Sequence, residues 1–427
     1  MKNKLILLFY FSLLPFHFLQ SQWFQLPNLP VSGTVWDMYF VNSNTGWVTL
    51  VSPTSIIKTT NGGLNWVVQS NISIRNIQFI DDNTGYGQGF IGTNGTIWKT
   101  TDGGINWNSV LSDGNGYADI AFVNRDTGWV CGFDGIWGGV WRTTDGGSSW
   151  LRQYTSASNG LDKIFFLKNK VNGEYWGWTF KATILFRTTN TGMNWTLINN
   201  NFGCGSGYDM YFIDTSKGII TGLGSSCFTK TTDSGFNWTQ IFELNSVNSK
   251  IGIGDTSKFW LSLGASDTVI KTINFFQTYG KQHLPALAHD LFALDTSWVY
   301  GSWNMNNVVK TTNGGGPIIY LGIDSNSTIV PTAYVLHQNY PNPFNPQTTI
   351  KFSIIKTASV SLTIYDITGK EVIRIYDNER LKTGNYKTAI DFEKLNISSG
   401  IYFYELKVSS DNNNIIYTES LKMVYLK

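Results

Sequence analysis

The sequence is poor in charged residues. Lys and Arg number 31 and Asp and Glu 29, which together make 14% of the 427 residues and give a formal net charge of +2. Globular domains are nearer about 25% charged. Two of the positive charges, Lys2 and Lys4, lie at the very start of the chain. This composition offers no basic face for nucleic acid or an anionic membrane, so we expect neither as a partner.

Histidine and long apolar runs are also scarce. The chain has four histidines, and His283 and His289 lack a third ligand at a spacing typical of a metal site. We expect both in an exposed loop, and predict no metal and no cofactor. The one long apolar run, residues 5–14, follows the two N-terminal lysines. This layout predicts a signal peptide over residues 1–22, with a membrane anchor as the alternative.

A short motif recurs along the chain and dominates the sequence. Five copies keep the pattern K/R-T-T-[DN]-x-G-x-x-W, and two degraded copies follow. The leading cations are Lys58, Lys99, Arg142, Arg187, Lys230, Lys271 and Lys310, at spacings of 41, 43, 45, 43, 41 and 39 residues. Upstream of each copy lies a predicted β-hairpin. A near-constant period with four strands per repeat predicts a seven-bladed β-propeller over residues 23–316.

The repeated residues have clear scaffold roles. The Asp, such as Asp102, can accept backbone N–H bonds within its own turn, and the glycines supply positive φ values. The closing Trp can bury roughly 150 to 250 Å² against a neighbouring blade. The last copy stops before its Trp strand, whereas residues 23–26 resemble such a strand. We therefore expect the N-terminal strand to complete the seventh blade, next to residues near 300–312.

The first strands of the seven blades begin with polar residues, which should form a ring at one mouth of the central channel. This channel ring comprises Asp37, Asn76, Asp119, Lys163, Asp209, Lys250 and Asp290. One interpretation is that these side chains line a watery channel. The other is that they bind an ion or a small ligand, or serve as the carboxylates of a glycosidase.

Loops on the same side of the propeller carry further candidates. Gly-rich segments with Tyr117, Trp137 and Tyr208 could form a sugar- or peptide-binding platform, or they could be plain connections. Cys204 and Cys227 fall in two loops of the fifth blade, where a disulfide would suit an extracytoplasmic location. Cys131 is expected to be a buried thiol.

The repeat resembles the Asp-box pattern, with Thr100, Asp102, Gly104 and Trp107 as one example. The whole propeller resembles secreted relatives of the photosystem II assembly and stability factor. Asp-boxes also occur in sialidases and some glucan hydrolases. A sialidase resemblance implies three converging arginines, which the arginines of this propeller do not suggest. A glucan hydrolase resemblance implies two propellers around a cleft, whereas this chain has one. We therefore predict no catalytic residues.

After the repeats, residues 317–334 are interpreted as a linker and residues 335–427 as a small antiparallel immunoglobulin-like β-sandwich. The latter carries several short motifs, with the residues Asn339, Pro341, Asn342, Pro343, Gly369, Gly400, Tyr402, Lys422, Met423, Val424 and Lys427. By these motifs it resembles the C-terminal sorting domain of type IX secretion, found in Bacteroidota and related Gram-negative bacteria. The resemblance implies recognition by the outer-membrane translocon and removal by a sortase-like peptidase, whereas a generic adhesion sandwich is the alternative.

Taken together, the sequence predicts an all-β chain: a seven-bladed β-propeller followed by a small C-terminal immunoglobulin-like β-sandwich. We expect a monomeric, secreted or outer-surface protein that binds an extracellular glycan or protein ligand and is not an enzyme. The alternative is a carbohydrate-active hydrolase that uses the acidic channel mouth.

Overall fold

The computed structural model describes residues 23–427, except 157–159, 204, 223–226, 244–249, 265, 274, 277–278, 303–306, 316–318, 324–330, 332, 394 and 411–413. The signal peptide prediction therefore lies outside the described residues. Every regular element in the described part is a β-strand. No helix there is long and apolar enough to cross a membrane. Seven four-stranded units form the propeller. One of them continues into the first sheet of the sandwich, and a separate four-stranded sheet forms the second.

The strands of the first four blades follow one pattern, after an N-terminal strand β1 (Trp23–Gln25). Blade one comprises β2 (Val35–Phe40), β3 (Gly46–Val51), β4 (Thr54–Thr59) and β5 (Val67–Ser70). Blade two comprises β6 (Ile74–Phe79), β7 (Gly85–Ile91), β8 (Asn94–Thr100) and β9 (Asn108–Leu111). Blade three comprises β10 (Gly116–Phe122), β11 (Gly128–Phe133), β12 (Gly138–Thr143) and β13 (Leu151–Ser156). Blade four comprises β14 (Lys163–Lys168), β15 (Tyr175–Lys181), β16 (Ile184–Thr188) and β17 (Thr196–Asn199).

The remaining blades and the sandwich continue in chain order. Blade five comprises β18 (Gly207–Phe212), β19 (Gly218–Gly222), β20 (Cys227–Thr231) and β21 (Thr239–Glu243). Blade six comprises β22 (Ile251–Ile253), β23 (Phe259–Ser262), β24 (Ser266–Thr272) and β25 (Tyr279–Ala288). Blade seven takes β26 (Asp290–Ala293), β27 (Val299–Ser302) and β28 (Val308–Thr311). There follow β29 (Ile319–Ile323), β30 (Val335–Leu336), β31 (Gln347–Ile354), β32 (Ala358–Asp366), β33 (Glu371–Leu381), β34 (Gly384–Asp391), β35 (Gly400–Ser409) and β36 (Ile415–Tyr425).

Each blade is an antiparallel meander, so its turns alternate between two faces of the propeller. We call the face at which the first strand of each blade begins the upper face, and the opposite one the lower face. In blade three, Gly116 at the start of β10 pairs with Phe133 at the end of β11. The connection from the second strand to the third therefore lies on the upper face. The repeated Asp-Gly turns lie on the lower face.

The Asp-Gly turn is held by its own side chains, as the sequence predicts. In blade two, Asp102 Oδ1 accepts the backbone N–H of Ile105 at 3.1 Å and that of Asn106 at 2.9 Å. The Thr100 hydroxyl accepts the N–H of Gly104 at 3.0 Å. Gly104 has a φ of +93°, a conformation that favours glycine. The motif is therefore a compact structural turn.

Aromatic stacking joins neighbouring blades. Trp47, in the second strand of blade one, stacks on Phe79 of blade two with ring centroids 3.4 Å apart and an interplanar angle of 4°. The closing Trp107 then meets the same Phe79 edge-on, at 5.9 Å. Equivalent stacks join blades two and three, three and four, and four and five. Such contacts make each interface a nearest-neighbour unit.

The leading cation of the repeat is a second link between blades, and its partner was not predicted. Lys58 Nζ of blade one donates to the carbonyl of Gly103, in the Asp-Gly turn of blade two, at 3.2 Å. Lys99 and Lys271 make the same bond to Gly146 and Gly314. Lys58 also lies 4.9 Å from the centroid of the Trp47 ring, a favourable cation–π distance. The cation therefore positions the next turn.

The ring of blades closes between the seventh and the first. Strand β1 pairs with β28, with Trp23 opposite Thr311 and Gln25 opposite Val309. Lys310 Nζ donates to the carbonyl of Gly62 in blade one at 2.8 Å, which repeats the link found between other blades. Phe40 stacks on Tyr300 across the same junction, with centroids 3.7 Å apart. The N-terminal strand thus supplies the outer strand of the last blade and covers an edge that would otherwise be open.

Blade six continues into the sandwich. Strand β29 lies within the segment interpreted as a linker, yet it pairs with β25 on one side and with β34 on the other. The segment thus contains a strand that the sequence analysis missed. Lys281 of β25 forms a salt bridge with Glu379 of β33, and both side chains are largely buried. A cavity of about 430 Å³ lies beside this contact, lined by His283 of the propeller and by sandwich residues.

The sandwich has its own core. One sheet contains β30, β31 and β34, and the other has the order β33, β32, β35, β36. Along the strands, buried side chains of the inner faces alternate with more exposed side chains of the outer faces. Ile350, Leu362, Tyr404 and Leu406 are among the fully buried residues. This alternation is the expected pattern of two packed antiparallel sheets.

Candidate functional site

The channel ring is a set of links between blades. Asp37 Oδ2 accepts the N–H of Ile77 in the next blade at 2.8 Å. Asp119 does the same with Ile164, and Asp209 with Ile251, both at 3.1 Å. A carboxylate that accepts a buried backbone N–H satisfies a donor that would otherwise be costly to bury. Three of the four predicted carboxylates therefore hold neighbouring first strands together.

The other ring members add charge pairing. Lys163 Nζ lies 3.5 Å from Asp119 Oδ1 and 3.9 Å from Asp209 Oδ1. Asn76 Nδ2 donates to Asp119 Oδ1 at 3.1 Å. Asp119 is only 8% exposed and Asp290 only 3%. The mouth is therefore a packed polar network, and burial raises the pKa of Asp119 even though Lys163 opposes the shift.

Asp290 departs from this pattern. It lies directly opposite Ser302 in the pairing of β26 with β27, and neither Asp290 Oδ2 nor Ser302 Oγ has a hydrogen-bond partner among the described residues. Burial, and then the charge of Asp37, raise the pKa of Asp290 to about 7, although Lys250 lowers it. Burial also raises the pKa of Asp37. Two neighbouring blades thus present carboxyl groups that disfavour simultaneous ionisation.

A pH dependence of stability follows from this carboxyl group. The folded chain holds the Asp290 proton up to about pH 7, whereas the usual Asp pKa is 3.8. The contribution of Asp290 to the free energy of unfolding should therefore be largest below pH 4 and fall as the pH rises to 7. Asp290→Asn removes this decrease. Urea unfolding measures the free energy of unfolding of both proteins. Between pH 4.5 and pH 8, the value for Asp290→Asn relative to that for wild type should rise by about 2 to 4 kcal/mol. A constant difference would contradict this assignment.

Aromatic side chains lie above the ring on the upper face. The rings of Tyr208 and His289 meet edge-on with centroids 6.0 Å apart, and Lys250 Nζ lies 5.8 Å from the Tyr208 ring. Burial, and then Lys250, lower the pKa of His289 to about 4. The expectation of two exposed loop histidines is wrong in part. His283 is exposed but lies within β25, and His289 is half-buried at the channel mouth.

The most distinctive upper-face group was missed by the sequence analysis. The Arg75 guanidinium lies over two aromatic rings, with its carbon 4.8 Å from the centroid of Trp36 and 4.6 Å from that of Phe90. Trp36 and Arg75 each precede a ring residue, Asp37 and Asn76, in the first strands of adjacent blades. Comparing the residues that directly precede the ring residues in the sequence could have identified Trp36 and Arg75. We call Trp36, Arg75 and Phe90 the cation–aromatic group.

The predicted loop platform forms only in part. Trp137 follows a turn in which Asp134 Oδ1 accepts its N–H at 2.6 Å, and the indole is 45% exposed on the upper face. Tyr117 is instead 2% exposed, because its hydroxyl donates to Asp113 and its ring packs edge-on against Trp141. Tyr208 lies at the channel mouth. Tyr117 is therefore part of the core and unavailable to a ligand.

The cysteines divide into a bonded and a free class. Cys227 is disulfide-bonded, whereas Cys131 is free and buried. Cys204 lies outside the described residues, so its pairing with Cys227 stays a prediction. Burial raises the pKa of the Cys131 thiol well above its usual value, which makes it a poor nucleophile. No group of three potential His, Cys, Asp or Glu metal ligands occurs in the described part of the chain.

The predicted sorting residues converge around the last strand of the sandwich. Asn342 Oδ1 accepts the N–H of Val424 at 2.9 Å. Asn339 is 1% exposed, and its Nδ2 donates to the Thr348 hydroxyl at 2.8 Å. Met423 is buried, whereas Lys422 and Lys427 are exposed. Pro341 and Pro343 belong with Asn339 and Asn342 to residues 339–346, which we call the Asn-Pro lead-in. Gly400 and Tyr402 begin β35, which pairs with β36. Gly369 forms a turn with positive φ.

Comparison with known proteins identifies this part of the chain. Residues 338–418 match the family model of the secretion system C-terminal sorting domain. No curated protein matches the sequence. The chain thus carries a C-terminal sorting domain. Such a domain implies handling by the type IX secretion machinery and export to the cell surface or the medium.

The propeller resembles several solved structures at low identity. A YCF48 protein bound to a D1 peptide is 17% identical, with a TM-score of 0.51 over 68% of this chain and 97% of that one. YCF48 from Cyanidioschyzon merolae is 16% identical, with a TM-score of 0.51 over 68% and 98%. A GH74 enzyme from Niastella koreensis is 12% identical, with a TM-score of 0.51 over 94% and 74%. These likenesses show the β-propeller fold and no activity.

Proposed function

We propose that the protein is an exported, non-enzymatic propeller that binds an extracellular glycan or protein ligand with its upper face. The single observation that supports this most is the cation–aromatic group, in which one cation contacts two rings on the upper face. Trp36 is 40% exposed and Trp137 is 45% exposed on the same face. Exposed aromatic side chains on a rigid scaffold are typical of binding surfaces.

The chemistry of the channel ring supports binding over catalysis. Asp37, Asp119 and Asp209 accept backbone N–H groups of adjacent blades, so their loss would loosen the propeller. A glycosidase needs two carboxyl groups that reach the substrate from opposite sides. Asp290, the group with the most distinctive pKa, is 3% exposed and is therefore poorly placed to meet a polysaccharide.

A carbohydrate-active hydrolase is the second candidate. Asp290 favours it, because a carboxyl group with a pKa of about 7 could act as a general acid near neutral pH. The GH74 enzyme of similar fold is consistent with this alternative and adds nothing on residues. In that case Asp290→Asn would abolish hydrolysis while leaving the upper-face aromatic residues intact.

The export route completes the proposal. A signal peptide over residues 1–22 would carry the chain to the periplasm, and the sorting domain would then bring it to the outer-membrane translocon. A sortase-like peptidase would remove the domain, and the propeller would be released or attached to the surface as a monomer. The match to the sorting-domain family supports the second step.

The binding proposal can be tested with face-specific variants. The full chain is screened on glycan and surface-protein arrays beside a Trp36→Ala, Trp137→Ala variant of the upper face. The matched control is Leu64→Ala, Ile105→Ala, which removes two side chains, 60% and 58% exposed, from turns of the lower face. We expect a ligand whose signal falls at least about tenfold in the upper-face variant only. Equal signals for all three proteins would refute the proposal.

A further inference from the structure

The geometry of Arg75 limits what it can bind. Its guanidinium carbon lies over two rings, 4.8 Å from the centroid of Trp36 and 4.6 Å from that of Phe90, and these contacts restrict the side chain. The N–H donors of a guanidinium point outward in its plane. A stacked arginine therefore presents its edge as a fork, which matches the two oxygens of a carboxylate.

Arg75 has no carboxylate partner among the described residues. Two of the four other propeller arginines have one, since Arg125 lies 2.7 Å from Asp81 and Arg152 lies 2.5 Å from Asp134. Arg75 is half-buried, and its backbone carbonyl accepts the Thr49 hydroxyl at 3.0 Å, which fixes the main chain below it. A positioned cation without an internal acid is complementary to an acid on a ligand.

The surroundings indicate the kind of ligand that carries this acid. Trp36 remains 40% exposed although Arg75 lies over its ring, and Ile91, next to Phe90, is 49% exposed. An apolar surface and a carboxylate fork thus occur side by side. A hexuronate residue has the complementary pair, an apolar C–H face that packs on aromatic rings and a carboxylate on the same ring.

We propose that the cation–aromatic group is a binding site for a uronate-bearing polysaccharide, with the sugar carboxylate on Arg75 and the sugar ring against Trp36. The inference rests on the proposed binding function and specifies its ligand. Asp37 follows Trp36 at the entrance of the channel, and the ring contains four Asp and two Lys side chains. Because these side chains form a packed network in which Asp119 and Asp290 are buried, we expect the polymer to lie at the rim, beside Arg75, and outside the channel.

The test uses one polymer in two charge states. The purified full chain is titrated with polygalacturonate and with its fully methyl-esterified form, which keeps the sugar ring and lacks the negative charge. Arg75→Met keeps the aliphatic stem and removes the fork, and Arg125→Met is the matched control on the lower face. Arg75→Lys keeps the charge and loses the planar fork. Thermal melting of each variant confirms that it is folded.

We expect polygalacturonate to bind at least about tenfold more tightly than its methyl ester. Arg75→Met should remove this preference, Arg75→Lys should recover it in part, and Arg125→Met should bind as wild type. Equal binding of both polymers, or an unchanged Arg75→Met variant, would overturn the uronate site but leave the proposed function standing if another ligand depends on Trp36 and Trp137. Arg75-dependent binding of poly-glutamate without polygalacturonate would also overturn it.

Discussion

Replacing Trp23 with Ala should lower the free energy of unfolding of the propeller by about 3 to 5 kcal/mol, the usual cost of truncating a buried Trp. Trp23 is 1% exposed and packs with Trp260, Val269 and Leu284 in one cluster. Its Nε1 donates to Gln282 Oε1 at 3.3 Å. The side chain therefore ties the strand that closes the ring to blades six and seven.

The neighbouring Phe24 offers a matched control. It lies in the same strand and pairs with Lys310, yet it is 42% exposed, so Phe24→Ala should cost less than about 1 kcal/mol. Denaturant unfolding measures the stability of both variants. It is followed by tryptophan fluorescence and also by circular dichroism, because Trp23→Ala removes one indole from the fluorescence signal. If the two lose the same stability, the closing strand does not hold the ring as described.

Deleting residues 422–427 should stop export and leave the protein in the periplasm. Residues 422–425 of this segment form the end of β36, where Met423 and Tyr425 are fully buried. Phe344 stacks on Tyr425 with centroids 5.3 Å apart, and its N–H donates to the carbonyl of Val424 at 3.0 Å. The deletion thus removes the partner of the Asn-Pro lead-in and opens the sandwich core.

Fractionation of cells into periplasm, outer membrane and medium measures this effect. A Lys422→Ala, Lys427→Ala variant separates recognition from folding, because both side chains are exposed and their loss leaves the core intact. If only the deletion variant stays in the periplasm, the machinery requires the folded sandwich. If both variants stay there, the machinery recognises the two charged side chains. Normal export of the deletion variant would defeat the role given to this strand.

The features that were predictable from sequence are those that repeat. The recurring Asp, Gly and Trp indicate a turn and a blade, and Asp102 accepts N–H groups of its own turn as expected. The channel ring was also recoverable, because each member occupies the same position in its repeat. Its role could not be deduced, since the N–H bond from Ile77 to Asp37 crosses between blades.

The features that were missed depend on contacts between distant segments. Nothing local distinguishes Tyr117, which is buried, from Trp137, which is exposed. The environment of Arg75 depends on its contacts with Trp36, in the neighbouring blade, and with Phe90, in the next strand of its own blade. Strand β29 was interpreted as linker because its partners, β25 and β34, belong to two different units. Pairing of this kind leaves no periodic signal in one sequence.

We propose that the propeller is a binding platform and that its buried carboxyl groups stabilise the scaffold. The most direct test incubates polygalacturonate and neutral polysaccharides with the wild-type chain and with Asp290→Asn, and follows retention of polymer and release of reducing ends in the same samples. We predict retention by both proteins with no new reducing ends. Reducing ends that appear with wild type and vanish with Asp290→Asn would contradict the account and make the protein a hydrolase.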